Sequence, residues 1–410
     1  MNLTDELHAA SAEPPPTRID LDRLVAREEA RKVRARWIAA GCAAAVAVTA
    51  TILGVRVAAA PPVEHDLGVV FSPDRVPDLA TLPDAAKVWP DAVRELPPRL
   101  PDRSDYSVVA ALGDDRYLVA SGISDPSNSP RIFDTGAGTA TPLAAEGAIA
   151  GVAEGRVLTT KVAGDQVVWM LEGFRRNTDF RELWTARVDG TGLRRLATLP
   201  NGVGPRFALA GDTVLWDVER PGSAAAHKAP FTTVWRVSLA GGQPAELPGS
   251  EGWSLAYDGP WLSTQVLREG VEAYGTGELW NPLTGVKRRW TAHPGLQFVE
   301  CWTAWCVGSG NRLALQNLDG TGYLELPFSG HLTSSREGRL AAGSVRSGGT
   351  SVQLVWDRRT GRAAALARYD LDASPGRVTL TRSHNSDFDP PVLSWRTADH
   401  TMVLDLNAID

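Results

Sequence analysis

The chain has 410 residues, 43% of them hydrophobic and 22% charged, an ordinary globular composition that excludes wholesale disorder. Its formal net charge is -6, and no basic stripe stands outside the N-terminal region. Nucleic acid is therefore excluded as the main partner, because phosphate binding needs concentrated Lys and Arg.

Residues 1–18, with Pro14-Pro15-Pro16 and many small or polar side chains, read as a tail. From Asp20 the pattern changes. Leu21, Leu24, Val25 and Val33 stand among alternating charges, and Glu28 precedes Lys32 by one helical turn, which predicts a juxtamembrane helix within a cytoplasmic segment of residues 1–36. Two readings of that helix stay open: a solvated continuation of the next segment, or a docking helix for a cytosolic partner. Residues 37–55 carry no charge, and apolar character resumes after Arg56, a length close to the ~20 residues that cross a bilayer core. Residues 37–59 are thus expected to be a transmembrane helix in contact with lipid. Arg31, Lys32, Arg34 and Arg36 crowd its N-terminal side against Arg56 at the other, which keeps the N-terminus cytoplasmic. The rival is a cleaved signal peptide ending at "VAAAPP". Against it stand the long leader, the long apolar run and Pro61 directly after the cut, so a single-pass anchor in the cell membrane is expected, with the remainder extracytoplasmic.

Residues 60–104 are Pro-rich and read as a stiff extracytoplasmic linker. Within them "GVVF" at residues 68–71 is expected to supply a strand that joins the two ends of the domain that follows. That domain, residues 105–410, is organised around "LWTARVDGTGLRRLATLP" from Leu183: a strand, a tight turn at Asp189-Gly190 and a returning strand. Looser copies begin at Arg131, Val234, Leu279, Leu313, Leu354 and Leu393. A second ladder of short strands interleaves with them, in "DDRYLVASG" from Asp114, "EGRVLTTKV" from Glu154, "AGDTVLWDV" from Ala210, "DGPWLSTQV" from Asp258, "ECWTAWCVG" from Glu300, "EGRLAAGSV" from Glu337 and "PGRVTLTRS" from Pro375. Two interleaved β-ladders without a helical period between them predict an all-β array of four-stranded blades. The copies predict seven blades, or six if a terminal copy is partial. Phe133, Trp184, Trp235, Trp280, Trp356 and Trp395, with Leu315 substituting once, recur before the hairpin turn and are expected to fill the space between blades. Residues 171–181 and 220–230 are the longest excursions and read as loops inside hairpins, where a scaffold usually places recognition.

The run from Leu183, with its aromatic strand, Asp-Gly-x-Gly turn and Leu-Arg-Arg-Leu return, resembles the repeat of TolB-type, WD-repeat-like β-propellers. "LALQNLDGTGYLELP" from Leu313 shares the turn but lacks the basic pair, and the other copies keep only the skeleton. The Ala- and Arg-rich stub with one span before the propeller also resembles single-pass membrane proteins of high-GC actinobacteria. The resemblance implies a binding scaffold and carries over neither a ligand nor functional residues.

Cys301 and Cys306 sit on the two arms of a tight hairpin and are expected to form a structural disulfide, the alternative being two reduced thiols. One Cys pair without a His cluster does not complete a tetrahedral metal site, and Cys42 falls in the membrane span. There is no G-x-S-x-G, H-E-x-x-H or Walker loop, and the glycine-rich turns lack the following helix that a dinucleotide needs, so no catalytic residue, metal or cofactor is assigned. His384, Asp387 and Asp389 form the densest polar constellation, a weak candidate for cation binding or acid/base chemistry, against a solvated loop. The leading expectation is a membrane-anchored, non-catalytic binding module for a protein or cell-envelope ligand. Two alternatives are a transmembrane signalling regulator of the anti-sigma kind and a propeller hydrolase or lyase.

Overall fold

The turn sets the repeated hairpin. At Asp189 the carboxylate accepts the Thr191 N–H at 2.9 Å and its hydroxyl at 2.6 Å, while Gly190 and Gly192 take φ of 82° and 69°. Asp319 binds Thr321 at the same two distances, with Gly320 and Gly322 at 83° and 63°. Glycine enters that left-handed region at no steric cost, so Asp-Gly-Thr-Gly both reverses the chain and satisfies its own backbone.

The computed structural model describes residues 75–410 apart from 114, 122–124, 177, 201–202, 205, 220–231, 257–258, 268–273, 310–311, 336–337, 348 and 371–390. A short helix, α1 (Ala85–Val88), precedes strand β1 (Val93–Leu96). The first sheet is β2 (Tyr106–Gly113), β3 (Arg116–Ser121), β4 (Arg131–Asp134) and β5 (Thr139–Pro142). The second is β6 (Ala153–Ala163), β7 (Gln166–Arg175), β8 (Thr178–Arg187) and β9 (Arg194–Thr198). The third is β10 (Ala208–Ala210), β11 (Thr213–Glu219), β12 (Thr232–Ser238) and β13 (Ala245–Glu246). The fourth is β14 (Ser254–Leu255), β15 (Leu262–Leu267), β16 (Tyr274–Trp280) and β17 (Lys287–Thr291). The fifth is β18 (Gln297–Cys301), β19 (Trp305–Ser309), β20 (Leu313–Asn317) and β21 (Leu324–Glu325). The sixth is β22 (Ser329–Ser335), β23 (Leu340–Ser347), β24 (Thr350–Asp357) and β25 (Ala363–Asp370). In the seventh, β26 (Val392–Arg396) pairs with β27 (Thr401–Asp405), and β27 pairs in turn with β1.

Seven clusters of buried side chains lie between successive sheets, including one between the seventh sheet and the first, where Val392 and Val403 meet Tyr106, Val108 and Phe133. Seven sheets with seven buried interfaces close a ring, so this is an all-β, seven-bladed β-propeller. Each sheet is covered on both faces by its neighbours.

The aromatic ladder lies between blades as expected, and its placement is more specific than the sequence suggested. Phe133, Trp184, Trp235, Trp280, Trp356 and Trp395 each pack into the interface with the preceding sheet. Leu315 does not share that position. It faces the following sheet, and its neighbour Ala314 takes the ladder position. The missing volume is supplied by Trp290 of β17 and by the Cys301–Cys306 disulfide, whose two residues pair directly across β18 and β19. In the second blade the ladder copy at Glu154 falls in the first strand, β6, and the true second strand is β7. The better match was "AGDQVVWML" from Ala163, which shares its Ala-Gly-Asp turn with Ala210.

Ring closure differs from the expectation. Residues 68–71 lie outside the described residues, and the strand that joins the two ends is β1, inside the segment expected to be linker. Its register runs from Val93 opposite Leu404 to Leu96 opposite Thr401. Accordingly the last hairpin copy, β26–β27, does not end its sheet as the other six do. The preceding segment is a strap on the sixth blade. Leu79 and Leu82 join one interface cluster and Ala85, Trp89 and Ala92 the next. Pro83 accepts the Ala365 N–H at 2.9 Å, and the Arg368 guanidinium donates to the carbonyls of Leu79 and Leu82. The strap covers the outer edge of β25, which would otherwise present unpaired backbone. Among the described residues no helix is long and apolar enough to cross a membrane; the span expected at residues 37–59 lies outside them.

Candidate functional site

Residues 171–181 are not a loop. β7 and β8 are ten residues each and stay in register from Gln166 opposite Arg187 to Arg175 opposite Thr178, so the excursion extends the hairpin into a two-stranded arm. A signal for this was present. On β8 the run Asp179-Phe180-Arg181 alternates charged and aromatic residues at the period of an extended strand, whereas β7 carries no such alternation.

The strand pleat puts one arginine-clamped carboxylate on each face of the arm. On the face toward the third blade, Glu172 lies opposite both Arg181 and Arg156, and they pair with it at 2.8 Å and 2.6 Å. Arg181 also donates to the Val203 carbonyl of the next blade. On the face toward the first blade, Glu182 is 1% exposed and accepts Arg175 at 2.6 Å, Arg195 at 2.7 Å and the Trp184 indole N–H at 3.0 Å. The Arg175 guanidinium also lies 4.6 Å from the centre of the Phe180 ring. Beyond these clamps Phe174 is 43% exposed.

Burial opposes ionisation of both carboxylates, but the arginine hydrogen bonds outweigh it and hold Glu182 and Glu172 below the ordinary glutamate range. A depressed folded-state pKa gives stability that is present above the unfolded value and is lost as pH falls through the folded one. Glu182→Gln is therefore expected to cost about 2 kcal/mol at pH 7, less than for a fully buried pair because both guanidiniums reach solvent. In urea unfolding the gap between the variant and the native protein should narrow as the pH falls below the carboxylate range.

Of the other residues singled out in the sequence, Cys301 and Cys306 are joined. His384, Asp387 and Asp389, and the second excursion at residues 220–230, lie outside the described residues. Among the described residues no group of three His, Cys, Asp or Glu side chains is placed to hold a metal ion. Among the described residues the cavities include one of about 410 Å³ beneath the strap beside Leu79, Phe328 and Arg368, and one of about 310 Å³ between the seventh and first blades.

The ring and its arm define a β-propeller with one enlarged blade. Solved structures with a similar fold include TolB from Acinetobacter baumannii, at 12% identity and a TM-score of 0.35, covering 66% of this chain. This chain spans 62% of the length of that TolB. Oligogalacturonate lyase from Vibrio parahaemolyticus is 12% identical with a TM-score of 0.44, covering 76% of this chain and 91% of its own. The β-propeller domain of the Trilobed protease from Pyrococcus furiosus is 12% identical with a TM-score of 0.41, covering 64% and 85%. No protein-family model matches the chain, and no curated protein matches it in sequence.

Proposed function

We propose that this propeller is a non-catalytic binding module, tethered to the cell membrane by residues 37–59 and held outside the cytoplasm, and that the β7–β8 arm meets a protein or cell-envelope ligand. The observation that carries the reading is the arm itself: an exposed Phe174 beside arginines that two carboxylates hold in place. Rigid arginines beside an aromatic ring are the composition of interface hot spots, because little side-chain entropy remains to be lost on binding. The Cys301–Cys306 disulfide suits an oxidising compartment, in keeping with the extracytoplasmic placement.

The test is site-specific photocross-linking in intact cells that carry the full chain. A photoreactive residue at position 174 is expected to give a discrete adduct that the same residue at position 283 does not. A membrane-impermeant thiol reagent should also label a cysteine introduced at position 135. Absence of any adduct from position 174, or labelling only after the cells are lysed, would overturn the reading.

A further inference from the structure

The seventh and first blades do not close flush. Where β1, β3 and β27 converge, the cavity of about 310 Å³ remains, a volume suited to a small molecule. Asp91, Arg94, Asp115, Arg116, Tyr117 and Asp405 supply its polar lining, and small aliphatic side chains complete the wall.

Elsewhere on this protein opposite charges find each other, as Arg131 does Asp125 at 2.7 Å and Arg339 does Asp357 at 2.9 Å. Here they do not. Among the described residues none of the five charged side chains forms an ion pair. Arg94 turns Nη1 onto the Val93 carbonyl at 2.9 Å, and Asp405 accepts the Asn407 N–H at 2.9 Å. Both leave capacity for a further partner.

Tyr117 adds a neutral hydrogen-bond donor to the charged wall. The residue is 6% exposed, yet its hydroxyl has no hydrogen-bond partner among the described residues. The hydroxyl atom itself is not sealed from solvent: it opens on the cavity, where it can donate to a bound ligand. Burial raises the Tyr117 pKa and Arg94 opposes the rise, while Asp115 and Asp405 add to it, so the phenol stays protonated and able to donate at neutral pH.

We propose that the seam cavity binds a small zwitterion of the amino-acid type, its carboxylate held by Arg94, Arg116 and the Tyr117 hydroxyl and its ammonium group by Asp115 and Asp405. Three carboxylates against two guanidiniums leave one negative charge on the wall, which favours a basic amino acid over a neutral one. Such a ligand would bridge β1, β3 and β27 and so stabilise the closed ring. The site is separate from the β7–β8 arm, and neither reading depends on the other.

Calorimetric titration of the full-length chain with L-lysine is expected to show saturable one-to-one binding, with a rise in melting temperature. Tyr117→Phe should weaken binding about tenfold. It should leave the melting temperature of the free protein unchanged, because the hydroxyl has no partner to lose. Asp115→Asn should weaken binding similarly, since Asn tolerates the left-handed backbone at that position, where φ is 57°. 1,5-Diaminopentane and hexanoate, each carrying one kind of charge, should bind at least tenfold more weakly. No saturable binding of lysine, arginine or alanine at millimolar concentration would overturn the proposal. So would binding unchanged in both variants, or diaminopentane binding as tightly as lysine.

Discussion

Replacing Val93-Arg94-Glu95-Leu96 with Gly-Ser-Gly-Ser is expected to abolish the single cooperative unfolding transition of the propeller. β1 pairs with four residues of β27, and its two buried side chains serve different interfaces: Val93 packs between the sixth and seventh blades and Leu96 between the seventh and first. Removing both side chains costs about 5 kcal/mol, comparable with the whole stability of many domains. The loss also bares the edge of β27, a template for pairing with another chain. Thermal unfolding followed by circular dichroism, together with size-exclusion chromatography, should show an early, broad transition and soluble oligomers. Glu95→Ser alone, at an exposed position, should stay within about 0.5 kcal/mol of the native protein. A four-residue replacement that melted with the native protein would show that the ring is not fastened there.

The second large effect is expected at the interface between the fourth and fifth blades. The ladder position there is Ala314, and the Trp290 ring occupies the volume that an aromatic fills elsewhere. Trp290 is 2% exposed and lies across the sheet from Gly277, where a Cβ would stand 2.2 Å from the Thr264 carbonyl oxygen and 2.4 Å from the indole. Trp290→Ala should cost about 4 kcal/mol through lost burial and the cavity left behind. Gly277→Ala should cost about 3 kcal/mol by driving the ring and the neighbouring strand apart. The double variant should cost less than the sum, because the clash with the indole disappears once the ring is gone. Chemical denaturation of the two single variants and the double variant measures that coupling. Strict additivity would mean that Gly277 acts only through the Thr264 backbone.

The arm illustrates how far the sequence could be read at the candidate site. Residues 171–181 stood out as an excursion from their length and polarity, but their clamps were not visible. Glu182 meets Arg195 only through the pairing of β8 with β9, and Arg156 reaches Glu172 only through that of β6 with β7. The disulfide was legible because its partners flank one tight turn. The seam cavity had no signature at all, since Arg94, Tyr117 and Asp405 come from strands far apart in the chain.

The sequence by itself determined the repeat: period-two strands, a glycine-bearing turn and, in all copies but one, an aromatic before the reversal are fixed by residues a few positions apart, so the blades could be read in order and their number narrowed to six or seven. Only the tertiary structure decided which strand closes the ring, which side chain fills the fourth interface and where charges are left facing a cavity. Val93 pairs with Leu404 across almost the whole domain. A four-residue edge strand carries no periodicity of its own. It is held there because the unpaired edge of β27 and the open faces of the two adjoining blades offer it burial and backbone partners at once.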